Sequence, residues 1–144
     1  MKLVGFSKGV VCLNQILIDF YKLENKCDAD DELRRWFSNV ETMAWLDGGH
    51  NGGKMTWITD ENILLSLVNL SNIKVDIRVT PYQINDHNRP WIKEEELLFY
   101  SILHKLNGKS SDLRLRRHVY FKNEKISLLN HFKVIDTLYD NPLL

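Results

Sequence analysis

Apolar positions along the chain alternate between two spacings. Leu3 and Val4 form a short apolar run that stops at Gly5. Val10, Leu13, Leu17 and Phe20 or Tyr21 then recur at helical spacing, with Val11 and Ile16 widening the stripe, which predicts a helix from residue 10 to about residue 23. Residues 24–35 are mostly charged or polar and read as a surface connection with room for a short helix. Met43, Ala44, Trp45 and Leu46 run without a polar break into Asp47-Gly48-Gly49, as in a strand buried on both faces and stopped by a glycine turn. Thr59 or Asp60 can cap a helix that carries Ile63, Leu64, Leu67 and Leu70. Ile73, Val75, Ile77 and Val79 alternate with Lys74, Asp76 and Arg78, the pattern of a strand with one wetter face. Pro90 suits the first position of a helix whose stripe is Phe99, Ile102, Leu103 and Leu106 and whose end is Gly108. Residues 113–121 read as a last strand and residues 132–139 as a short final helix.

Strand and helix therefore alternate along the whole length, and helical crossovers between strands imply a parallel sheet covered by helices. The predicted architecture is α/β: a three-layer αβα domain over residues 1–144, with a mainly parallel sheet of about four strands. A chain of 144 residues suits one such domain.

Composition narrows the partners. Lys plus Arg equals Asp plus Glu, 19 against 19, so no overall field favours nucleic acid or an anionic surface. The densest basic stretch, from Arg114 to His118, reads as a solvated strand face. Two cysteines, Cys12 and Cys27, make neither a disulfide framework nor a metal site, and Cys12 on the first helix reads as a small core residue. No window approaches the ~20 apolar residues of a membrane span. No charged stretch followed by an apolar one marks a secretion signal.

The first strand-to-helix junction carries chemistry. Gly5-Phe6-Ser7-Lys8-Gly9 is a Gly-x-Ser-x-Gly sequence between a strand and a helix, the nucleophile elbow of the α/β hydrolases. Such a turn holds the serine in a strained backbone conformation, and its two glycines let strand and helix approach closely. A serine hydroxyl needs a base within hydrogen-bond reach, itself oriented by a carboxylate. In this fold the three follow in the order Ser, Asp or Glu, His, each on a loop after a strand. Ser7 is the expected nucleophile and His131 the expected base. Asp86 is the expected acid, as the only carboxylate in the loop after the third strand. Asp47 and His50 are the second choices for acid and base. The backbone N–H of Lys8 would donate to a developing oxyanion. Gly48, Gly49 and His50 would line the mouth of the site, because the loop they form ends the second strand on the same sheet edge as Ser7. Gly48 to Lys54 also matches the first part of a phosphate-binding loop. Met55 stands where that loop needs Ser or Thr for Mg²⁺, so neither nucleotide nor metal is expected. No cofactor is implied. The candidate ligand is a small ester, thioester or amide.

Two tryptophan-bounded stretches are more specific than the elbow. Trp45-Leu-Asp-Gly-Gly-His50-Asn-Gly-Gly-Lys-Met-Thr-Trp57 and Thr80-Pro-Tyr-Gln-Ile-Asn-Asp86-His-Asn-Arg-Pro-Trp-Ile92 resemble the animal mitochondrial chromosome 2 open reading frame 69 family, as do Gly5 to Gly9 with Asn14-Gln15, and Asn130-His131-Phe132. The resemblance implies the C-terminal half of an α/β-hydrolase-like protein located in the mitochondrion. Its targeting segment and first strands would lie upstream of Met1. It also implies a serine hydrolase impaired in this shorter chain, or else a hydrolase-like module that binds or scaffolds without catalysis.

Overall fold

The computed structural model describes residues 1–25, 31–50, 52–70, 73–110 and 113–140. Strand β1 (Lys2–Phe6) leads into helix α1 (Gly9–Glu24), followed by α2 (Asp31–Ser38), β2 (Thr42–Leu46), α3 (Glu61–Val68) and β3 (Lys74–Val79). The chain continues through the single turn α4 (Pro81–Ile84), the long α5 (Trp91–Ser110), β4 (Arg114–Val119), α6 (Leu128–Lys133) and α7 (Thr137–Asp140). The strands form one sheet in the order β1-β2-β3-β4, and each neighbouring pair is parallel.

Side-chain alternation along the strands sorts the two faces. Met43 and Trp45 of β2 and Val75, Ile77 and Val79 of β3 join the main core, together with Val10, Leu13 and Leu17 of α1, Leu64 and Leu67 of α3, and Phe99 and Leu103 of α5. Helices α1, α3 and α5 pack side by side on that face. Ala44 and Leu46 point the other way, onto Val134, Ile135 and Leu138 in the segment from α6 to α7. The architecture is therefore an α/β parallel sheet between helical layers. The Asp60 carboxylate caps α3 by accepting from the N–H groups of Asn62 and Ile63.

Several expectations are corrected. Cys12 is exposed rather than in the core, and Cys27 lies outside the described residues. The face of β3 that carries Asp76 and Arg78 is not wet: both side chains are fully buried under α7. Arg78 donates to Asp76 and to the carbonyl and hydroxyl of Thr137. In the expected solvated face of β4, Arg116 pairs with Asp76, and Arg117 donates both a 2.7 and a 2.8 Å bond to Glu96. Gly108 lies inside α5 rather than at its end, and the last helical segment begins at Leu128, so His131 is helical.

Candidate active site

All four strands end on one edge of the sheet, because all are parallel, and the loops after them meet there. The junction between β1 and α1 places Ser7 with φ 53°, a left-handed conformation that an L-serine adopts only under constraint. Gly5 is what the junction requires: a Cβ there would lie 2.8 Å from the Gly9 carbonyl oxygen and 3.0 Å from Val10 Cα. A Cβ on Gly9 would meet nothing within 4 Å, so only the first glycine of the elbow is sterically demanded.

His131 comes to Ser7 from the far end of the chain. Ser127 caps α6 by accepting from the Asn130 N–H, and the imidazole is held between aromatic neighbours, 4.7 Å from the Phe6 ring and 5.2 Å from the Tyr82 ring. Its Nε2 lies 3.1 Å from Ser7 Oγ and its Nδ1 lies 2.8 Å from Asp47 Oδ2. An ionised carboxylate can only accept, so the Nδ1 proton faces Asp47 and the Nε2 lone pair is free to accept from the serine hydroxyl. That arrangement can take the serine proton as the oxygen attacks an electrophile.

The carboxylate beside His131 is therefore Asp47, not Asp86. Asp86 instead accepts from the Asn88 N–H at 2.8 Å and from Arg89 Nε at 2.7 Å, which together hold its carboxyl below the usual range and fasten the turn before α5. Asp47 ends β2 with φ 46° and is fully buried. Its Oδ1 accepts from the Thr80 N–H and its Oδ2 from the Thr80 hydroxyl, both at 2.6 Å. Burial pushes the Asp47 carboxyl up, and the hydrogen bonds from His131 and Thr80 offset only part of that rise. The signal for Asp47 was present in the sequence: it directly follows a strand apolar on both faces and precedes two glycines.

Ser7, Lys8, Gly49, His50 and His131 share a cavity of about 250 Å³ with Tyr82, Gln83, Arg89, Leu128 and Phe132. Thus the glycine-rich loop does border Ser7, while Gly48 packs inward on Val10 and Trp57. A Cβ on Gly49 would lie 2.1 Å from the Gln83 carboxamide oxygen, so any side chain there would require the Gln83 carboxamide to move. The imidazole of His50 is turned to its own loop, accepting from the Gly52 N–H at 2.8 Å. The N–H of Lys8 sits at the start of α1, where the first helical donors have no intrahelical acceptor. The residues missed from sequence were Thr80, Tyr82, Gln83, Arg89, Leu128 and Phe132; all but Leu128 lie in the stretches that carry the family resemblance, but none has a residue type and spacing that marks it as part of a site. Among the described residues no three His, Cys, Asp or Glu side chains gather to hold a metal ion, and no helix is long and apolar enough to cross a membrane.

Comparison with known proteins decides the family, since residues 1–109 match its sequence pattern. The chain belongs to the C2orf69 family. The mitochondrial protein C2orf69 homolog of Danio rerio is 40% identical over 135 residues, which is 94% of this chain and 37% of that protein. The Mus musculus homolog and the Homo sapiens mitochondrial protein C2orf69 are each 37% identical over 132 residues, 92% of this chain and 33% and 32% of those proteins. The chain thus spans about a third of the length of the curated relatives it matches. All three are mitochondrial proteins by name, and the mitochondrial location expected from the resemblance stands with them. No solved structure matches the chain significantly.

Proposed function

We propose that this member of the C2orf69 family is an α/β-hydrolase-type serine hydrolase that cleaves an ester, thioester or amide. Ser7 attacks the acyl carbon and His131 takes its proton at Nε2. Asp47 holds the imidazole in the required tautomer and stabilises the imidazolium that forms. The Lys8 N–H, one residue after the nucleophile, donates to the oxyanion. His131 then returns the proton to the leaving group, and water releases the acyl enzyme by the same steps in reverse. One observation carries the reading: the unbroken line from Ser7 Oγ through His131 to Asp47, in chain order Ser, Asp, His, with the serine at positive φ.

A fluorophosphonate probe tests it. Wild type is expected to label, and Ser7→Ala is expected not to. Asp47→Asn should slow labelling by about 10⁴-fold, because the amide holds the wrong tautomer. Asp86→Asn should label like wild type. Absence of labelling in a folded wild-type protein, or labelling that survives Ser7→Ala, overturns the enzyme reading in favour of a binding module.

A further inference from the structure

The segment that carries His131 is unusually apolar for a surface. Ile126, Leu128, Leu129 and Phe132 are 50%, 53%, 61% and 53% exposed, and they lie within one short stretch around α6. Leu128 and Phe132 also line the cavity that holds Ser7, so part of this apolar surface reaches the site. Cations bracket it. Lys122, Lys125 and Lys133 are exposed on the same segment, Lys8 is exposed at the cavity edge, and Glu124 is the one acid between residues 122 and 133. In a chain whose charges balance at 19 against 19, this basic excess is local to the segment that carries His131.

We propose that this rim docks on an anionic lipid bilayer and that the site takes an acyl ester of a bilayer lipid from it. An apolar patch flanked by lysines fits such a surface on both counts: the side chains enter the headgroup region while the cations meet lipid phosphates. A protein partner of ordinary composition would match the apolar part but not the cationic margin. The substrate half of the proposal rests on the hydrolase reading. There, Ser7 Oγ bonds to the ester carbonyl carbon and its proton passes to His131 Nε2. The carbon–oxygen bond to the glycerol then breaks, and the proton goes to that oxygen. Water next cleaves the acyl enzyme, giving a free fatty acid and a lysolipid.

The test is co-sedimentation with vesicles of phosphatidylcholine alone and of phosphatidylcholine mixed with phosphatidylglycerol, at low and high salt. Binding is expected to the mixed vesicles and to fall at high salt as the lysine contribution is screened. Lys125→Gln should lower partitioning about fivefold. Ile126→Ser combined with Leu129→Ser should lower it about tenfold or more, since two apolar side chains leave the interface. Neither Ile126 nor Leu129 lines the cavity, so this variant should keep wild-type melting and wild-type probe labelling in solution while losing hydrolysis of vesicle-borne ester. Equal binding to both vesicle types overturns the proposal, as does unchanged binding in the Ile126/Leu129 variant. A wild-type oligomer that this variant dissociates, with no vesicle binding in either, also overturns it in favour of a protein contact. Vesicle binding that behaves as expected in a protein whose Ser7 never labels separates the two claims: the docking surface stands and the hydrolase reading falls.

Discussion

Two aspartates show how environment assigns a role. Asp47 is sealed from solvent, and its carboxyl is pushed up mainly by the loss of hydration. Asp86 is held by Arg89 and the Asn88 N–H, and its carboxyl is pulled down. The consequences for stability have opposite signs. A raised carboxyl binds protons more readily folded than unfolded, so Asp47 contributes less to stability as pH rises above the ordinary aspartate range through its folded pKa. A depressed carboxyl does the reverse, so the Asp86 contribution is fully present above the ordinary range and is lost as pH falls through its folded pKa. Asp47→Asn is therefore expected to lose serine reactivity, with its melting point rising relative to wild type as pH increases. Asp86→Asn is expected to keep that reactivity and to melt below wild type at neutral pH, with the gap closing in acid. Thermal melts at several pH values, set beside probe labelling, check the pair, and a melting point in Asp47→Asn that falls further below wild type as pH rises would contradict the burial argument. From sequence the choice fell on Asp86, with Asp47 second, and the structure reverses it. Both follow strands on one edge, and only the fold shows which carboxylate reaches His131. The elbow offers a sharper contrast. Gly5→Ala forces a methyl into the Gly9 carbonyl and is expected to destabilise by about 1–3 kcal/mol, the range of overpacking. Gly9→Ala meets open space at a helix start and is expected to stabilise by about 0.4–1 kcal/mol. Chemical denaturation measures both.

At the scale of elements, the sheet was legible and its second face was not. The switch between strand and helix spacing gives all four strands, because apolar side chains must alternate on a pleat and recur every three or four residues on a helix. The same alternation in β3, with charges at Asp76 and Arg78, is identical for a face in water and for a face covered by partners of opposite charge. Here the partners come from Arg116 in β4 and Thr137 in α7, distant in sequence. Arg78 is fully buried, and by bonding Thr137 it ties α7 to the sheet and so steadies the segment that carries His131. Arg78→Ala is expected to cost about 3–5 kcal/mol, because it strips a buried carboxylate and a buried carbonyl of a partner. Replacing Asp76 and Arg78 together by leucine should cost less than Arg78→Ala alone, since the fully buried carboxylate leaves with its fully buried partner and only Arg116, 23% exposed, loses an ion pair. Equilibrium unfolding in urea decides this, and a double variant less stable than the single one would show that the ion pair is not the operative link.

For the molecule as a whole, the sheet's outer strand sets the expected behaviour. β1 pairs with β2, and among the described residues no strand pairs with its other side. Val4 of that strand is 45% exposed, and an apolar strand with an open edge invites pairing with another chain. Residues 1–144 on their own are therefore expected to self-associate, and Val4→Lys should shift them toward monomer, as measured by light scattering at several concentrations. Reactivity follows the same logic under the hydrolase reading. Lys8 supplies one oxyanion donor, and in hydrolases of this type the second comes from a loop after an earlier strand; among the described residues no strand precedes β1. One oxyanion donor is worth about 10²- to 10³-fold in rate. Should the proposed chemistry extend to the Danio rerio relative, of which this chain covers 37%, that protein is expected to hydrolyse a soluble ester about 10²- to 10³-fold faster per molecule than residues 1–144. Ester turnover by the two proteins under the same conditions tests the expectation. Equal rates from a monodisperse monomer of 144 residues would mean that the four-stranded sheet by itself completes the oxyanion site.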